Sequence, residues 1–128
     1  MNEFETISRD ELKEKIDHES DFVLIDVLGE HSFERAHIPG AISIDAHDDN
    51  FISEIEAKVP NKESELVIYC ASFACGLSTD VARKLIEAGY HAVVDFEGGL
   101  RDWARGGYLF EGSDAEEVAE QLSKDSDQ

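Results

Sequence analysis

The chain is short of cations, of cysteine and of long apolar runs. Its 128 residues hold 11 Lys and Arg against 30 Asp and Glu, a formal net charge of −19. Nucleic-acid phosphates and anionic membrane surfaces both reward basic patches, so neither is expected as a partner. So acidic a surface suits a basic partner protein, high salt, or plain solvation. Only two cysteines are present, Cys70 and Cys75. They cannot build a multi-bridge framework, and Cys-x4-Cys is no zinc ligand pattern. No apolar stretch approaches the ~20 residues that cross a bilayer. The opening MNEFETISRD lacks the basic-then-apolar order of a secretory signal. A cytoplasmic protein with both cysteines as thiols is expected, with a monomer the default at this size.

A hydrophobic fraction of 41% is enough for one domain with a real core. No internal repeat and no dividing linker is evident. The rhythm is strand then helix. Ser8 with Glu11 forms a capping box that opens a helix over residues 9–16. Residues 22–27 and 66–70 are apolar without alternation, as strands buried on both faces are. Further strands are expected at 41–44 and 92–96, with a weak one at 4–7. Helices are expected at 30–36, at 48–58 ahead of Pro60, and at 99–105. Another follows a Ser78 or Thr79 cap and closes at Gly89. Alternation of this kind predicts an α/β fold with a mainly parallel central sheet and helices on both faces. Residues 1–112 are expected to form the single domain. Residues 113–128 are expected as an acidic C-terminal helix or tail around Ala115, Val118 and Leu122, fraying beyond Leu122.

Ligands of open parallel sheets bind beyond the carboxyl ends of the strands, and Cys70 ends the most apolar strand of the chain. The loop Cys70, Ala71, Ser72, Phe73, Ala74, Cys75, Gly76, Leu77, Ser78 then enters a helix. Small residues let several amides point at one spot, and the helix dipole favours an anion there. The same field is expected to lower the Cys70 pKa. Position alone equally allows Cys70 to be one more small buried residue ending a strand.

From Phe22 to Gly107 five short motifs occur in order. They are Leu24-Ile25-Asp26-Val27, then His37-Ile38-Pro39-Gly40-Ala41, then Val67-Ile68-Tyr69-Cys70. Gly89-Tyr90 and Glu97-Gly98-Gly99-Leu100-Arg101-Asp102-Trp103 follow. The chain thus resembles a rhodanese-like (sulfurtransferase) homology domain over about two thirds of its length. The resemblance implies a rhodanese-like fold with Cys70 as catalytic nucleophile and residues 71–78 as the substrate loop. It also implies a persulfide on Cys70, taken from thiosulfate or another persulfide and passed to a thiol or cyanide, with no metal and no organic cofactor needed. Partners would be a small sulfur donor, or a protein persulfide or thiol acceptor.

Two departures stand out. No Lys or Arg lies between Cys70 and Arg83, and Leu28 stands where the family usually has Arg. A loop cation helps to hold an anionic donor, so thiosulfate is the less favoured substrate. Cys75 is either a resolving thiol or a small residue packed inward. Phe73 is either a pocket wall or an anchor in the core. A phosphatase of related fold would need Arg at the Cys-x5 position, where Gly76 stands. A redox-sensing or partner-binding module using the Cys70/Cys75 pair is the alternative. Asp26 is expected to tie down backbone and His37 to belong to a structural turn, with no catalytic or metal role for His31 or His37. Trp103 is expected in the core, and Gly98-Gly99 as a helix-start turn.

Overall fold

The computed structural model describes residues 4–124. Five strands form one parallel sheet in the order β1-β5-β4-β2-β3. They are β1 (Glu5–Thr6), β2 (Val23–Asp26), β3 (Ile42–Ser43), β4 (Glu65–Tyr69) and β5 (Ala92–Phe96). Six helices connect or follow them: α1 (Arg9–Asp17), α2 (Glu30–Arg35), α3 (Phe51–Lys58), α4 (Leu77–Glu87), α5 (Gly99–Arg105) and α6 (Ala115–Lys124).

The absence of alternation in the central strands has its reason in the core. Leu66 and Ile68 face one layer with Ile55 of α3 and with Val81, Ala82 and Leu85 of α4. Val67 and Tyr69, on the opposite pleat, face a second layer with Leu12 of α1 and with Leu100 and Trp103 of α5. Both faces of β4 are therefore dry, and each fully buried aliphatic side chain contributes about 1.5–3 kcal/mol. Trp103 is core, with its indole N–H donating to the Leu109 carbonyl at 3.0 Å. The Ser8–Glu11 capping box forms as the sequence indicates, with both reciprocal bonds at 3.1 Å.

Two expected helix starts move. Residues 48–50 form turns, with the Phe51 amide donating to the Asp48 carbonyl, so α3 begins at Phe51. Neither Ser78 nor Thr79 caps α4. Gly76 holds that position at φ 76°, a left-handed conformation that glycine adopts without strain. The C-terminal residues pack rather than trail. Ala115, Val118, Ala119 and Leu122 of α6 lie against the second core layer, and Arg35 pairs with Asp114 at 2.8 Å. The expected fraying beyond Leu122 falls largely on residues 125–128, outside the described residues. Among the described residues no helix is long and apolar enough to cross a membrane.

Asp26 ends β2 fully buried, its Oδ1 accepting the Leu28 amide at 2.9 Å. Its Oδ2 has no formed hydrogen bond. Burial pushes this carboxyl above its ordinary pKa, outweighing the Leu28 amide, the nearby Tyr69 hydroxyl and His37. A carboxyl raised on folding stabilises the fold while protonated, and that contribution is lost as pH rises through the folded value. Asp26→Asn is therefore expected to raise stability at neutral pH by about 1–3 kcal/mol, the scale of a buried unsatisfied polar group. The gain should shrink in acid, as urea unfolding at the two pH values will read. An equal loss at both would contradict this account.

Candidate active site

The chain winds to one side of the sheet after β2, toward β3, and to the other side after β4, toward β5. The crevice between the carboxyl ends of β2 and β4 is thus the topological switch point, where open α/β sheets hold ligands. In register there, Asp26 pairs with Tyr69 and Tyr69 with Phe96. Cys70 is the next residue out on β4. The β5–α5 turn fixes its backbone: the Leu100 amide donates to the Cys70 carbonyl at 3.1 Å, and the Arg101 amide to the Ala71 carbonyl at 2.9 Å. Gly99 makes this seat possible. It sits at φ 62°, and a Cβ there would lie 2.4 Å from the Cys70 carbonyl oxygen. The Gly98-Gly99 pair is the helix-start turn expected, with the added task of clamping the cysteine loop.

The loop folds on itself before it enters α4. The Cys75 amide donates to the Ser72 carbonyl at 3.0 Å, and the Ala74 amide to Ser72 Oγ at 3.3 Å. This turn carries Phe73 to the tip, where it is 71% exposed, so it does not anchor the loop in the core. It also consumes two of the amides expected to converge on one sulfur. Three other loop amides divide between the two sulfurs: that of Ser78 acts on Cys70, whereas those of Ala71 and Leu77 act on Cys75.

The two thiols interact and differ sharply in setting. Cys70 is 1% exposed and belongs to the core layer against α4, whereas Cys75 is exposed. Burial pushes the Cys70 thiol up, and its hydrogen bond with Cys75 adds to this, with the Ser78 amide opposing. Burial acts upward on Cys75 too, but the Cys70 hydrogen bond and the Ala71 and Leu77 amides outweigh it, and its thiol falls below the usual value. The expected lowering of Cys70 is thereby corrected: the field of the loop settles on Cys75, because water reaches that sulfur and a second thiol donates to it.

Asp95 escaped the sequence reading. Fully buried on β5, it accepts from Ser78 Oγ at 2.6 Å and from Thr79 Oγ1 at 2.6 Å, one hydroxyl on each oxygen. Both hydroxyls that were expected to cap α4 hold its first turn to the sheet instead. The Ser78 amide and hydroxyl both act to lower the Cys70 thiol, but burial and the Cys75 hydrogen bond outweigh them. A single carboxylate inside the apolar strand Ala92-Val93-Val94-Asp95-Phe96 was the available signal.

Other candidates take structural places. His37 Nδ1 lies 2.7 Å from the Phe33 carbonyl, the ring stacks on Phe33 at 3.8 Å, and its backbone bridges Glu111. His31 is exposed on α2. No group of three or more His, Cys, Asp or Glu that could hold a metal occurs among the described residues. Gly76, at the Cys-x5 position, is also exposed.

Comparison with known proteins gives this arrangement its relatives. The model of the rhodanese-like domain matches residues 8–106. A Bacillus subtilis (strain 168) protein named as a sulfur carrier, YrkF, is 30% identical over 100 residues, covering 76% of this chain and 49% of that protein. The chain thus spans about half the length of YrkF. A protein of Allochromatium vinosum named sulfurtransferase is 29% identical over 101 residues, covering 79% of this chain and 89% of the other. The crystal structure of the BH2092 protein from Bacillus halodurans superposes with a TM-score of 0.77 at 27% identity, covering 89% of this chain and 80% of that one. With its family motifs seated on the parallel sheet and its cysteine at the end of β4, the chain belongs to the rhodanese-like domain family.

Proposed function

We propose that the chain is a sulfurtransferase that carries sulfane sulfur as a persulfide on Cys70. The observation that carries the reading is a thiol at the carboxyl end of β4, on the sheet's switch point and against the first turn of α4. The names of the two relatives, a sulfur carrier and a sulfurtransferase, support the same chemistry. A donor persulfide gives its terminal sulfur to the cysteine and leaves as a thiolate. An acceptor thiolate then attacks that sulfur and restores the cysteine. The sulfur stays in the sulfane state throughout, so neither half-reaction needs an outside oxidant or reductant.

Charge selects the donor. The loop from Ala71 to Ala82 has no Lys or Arg, and the chain carries a formal charge of −19. Thiosulfate, a dianion, finds no Lys or Arg of the loop itself to hold it. Glutathione persulfide or a protein persulfide is expected to surpass thiosulfate in kcat/KM by about tenfold or more, one charge-assisted contact being worth about 1.5–3 kcal/mol. Rates measured with each donor and a thiol acceptor check this. Equal or faster thiosulfate use contradicts the donor assignment, and absence of transfer from every donor overturns the function.

The interaction between the two thiols supports a second reading, a dithiol–disulfide sensor. A reduction potential near the cytosolic poise would favour it, and failure of the pair to form a disulfide would remove it.

A further inference from the structure

We propose that Asp95 is a positioning residue for the sulfur chemistry: through the Ser78 and Thr79 hydroxyls it holds the first turn of α4 against Cys70. The inference rests on the sulfur-carrier reading above and deepens it, by naming what fixes the surroundings of the sulfur. Asp95 lies on β5 in register with Ile68, two residues before Cys70 on β4. Side chains paired across parallel strands share a face, and Ile68 and Cys70 both belong to the core layer beneath α4. Asp95 therefore stands beside the cysteine strand on that same face, fully buried. Each of its oxygens accepts one hydroxyl at 2.6 Å, from Ser78 and from Thr79. Acceptance at both oxygens suits an ionised carboxylate, which has no proton to give. At the other end of the loop, the Leu100 and Arg101 amides hold the Cys70 and Ala71 carbonyls. β5 and the turn after it thus secure the cysteine loop at both ends.

The tether has a chemical consequence. α4 starts after Gly76, which has no side chain to cap it, so the amides of its first turn find no partner within the helix. Such amides, at the positive end of the helix dipole, favour an anion. The Ser78 amide acts on Cys70. Negative charge stands on Cys70 when its thiolate attacks the donor sulfur, and again when the acceptor takes that sulfur and leaves the thiolate behind. Released from Asp95, the two hydroxyls would turn back to carbonyls four residues earlier, those of Ala74 and Cys75, and draw the turn toward the loop. Charge alone gives Asp95 the opposite role. A carboxylate near a thiol disfavours the thiolate, and Asp95 acts in that sense on Cys75. Removing the charge would then speed sulfur loading, whereas removing the tether slows it.

The test is single-turnover loading of the full chain with glutathione persulfide over a range of donor concentrations, read by mass on the Cys70 peptide. Circular dichroism gives the folded fraction, and rates are compared per folded molecule. Thr79→Val keeps the shape of the side chain and removes one tether. It should lower the maximal loading rate at least about tenfold, on the scale of a misplaced reacting group. The half-saturating donor concentration should stay at the wild-type value, because the tether acts on the cysteine and not on the donor. Thr79→Ser, which keeps the hydroxyl, should load at the wild-type rate. Asp95→Asn should load more slowly, against the direction that its lost charge gives. Should Asp95→Asn fail to fold, the two Thr79 variants decide alone. A wild-type maximal rate in Thr79→Val, or faster loading in Asp95→Asn, overturns the inference while the carrier reading stands. A change confined to the half-saturating concentration also overturns it. No adduct on Cys70 of the wild type overturns the carrier reading itself.

Discussion

Cys70→Ser is expected to reduce sulfur transfer from a persulfide donor to a thiol acceptor by at least about a thousandfold, the scale seen when a covalent nucleophile is removed. A hydroxyl at that position cannot store sulfane sulfur. It can still use the hydrogen-bonding partners at hand, the Ser78 hydroxyl and amide, so stability should change by only about 1 kcal/mol. Steady-state rates and thermal unfolding of the same preparation separate the two effects. A variant that folds and retains more than a tenth of the rate would place the chemistry elsewhere.

Gly99→Ala should be the most damaging small substitution near the site. Its Cβ would lie 2.4 Å from the Cys70 carbonyl oxygen and 2.7 Å from the Ala71 carbonyl carbon, and both neighbours are backbone. The residue also holds φ 62°, which adds the strain of a left-handed alanine. Together these should cost about 3 kcal/mol or more. The loss should be accompanied by slower sulfur loading, because α5 can yield only by releasing the amides that hold the Cys70 and Ala71 carbonyls. Gly107→Ala is the control. At φ 80° with nothing within 4 Å of its Cβ, it carries the backbone strain without the clash. Urea unfolding of the two variants measures the difference. Equal losses would mean that the close approach to the cysteine loop contributes nothing.

What was legible in the sequence follows from where the information resides. The sheet could be read because β2 and β4 are apolar on both pleats, and the Ser8–Glu11 box because its partners are three residues apart. Cys70 could be placed because strand-end positions follow from the strand. The loop's internal economy could not. Ser78 and Thr79 resemble helix caps, but their partner is Asp95, which is distant in sequence and adjacent only once α4 packs on β5. Sequence shows that small residues free the loop amides to converge, but not which of them a turn at Ser72 will consume. The pKa of Cys70 was misjudged for a related reason. The amides near it were anticipated, whereas its near-complete burial and its contact with Cys75 depend on tertiary packing. Phe73, which the sequence left open between a pocket wall and a core anchor, is exposed at the tip of a turn set by backbone bonds and not by its own side chain.

The central claim is that sulfane sulfur rests on Cys70. Its most direct test is the mass of the Cys70 peptide after the full chain is incubated with glutathione persulfide and excess donor is removed. The account predicts one added sulfur on that peptide, removed by dithiothreitol and transferable to a thiol acceptor. An unmodified Cys70 peptide after exposure to glutathione persulfide, thiosulfate and a protein persulfide alike would contradict it.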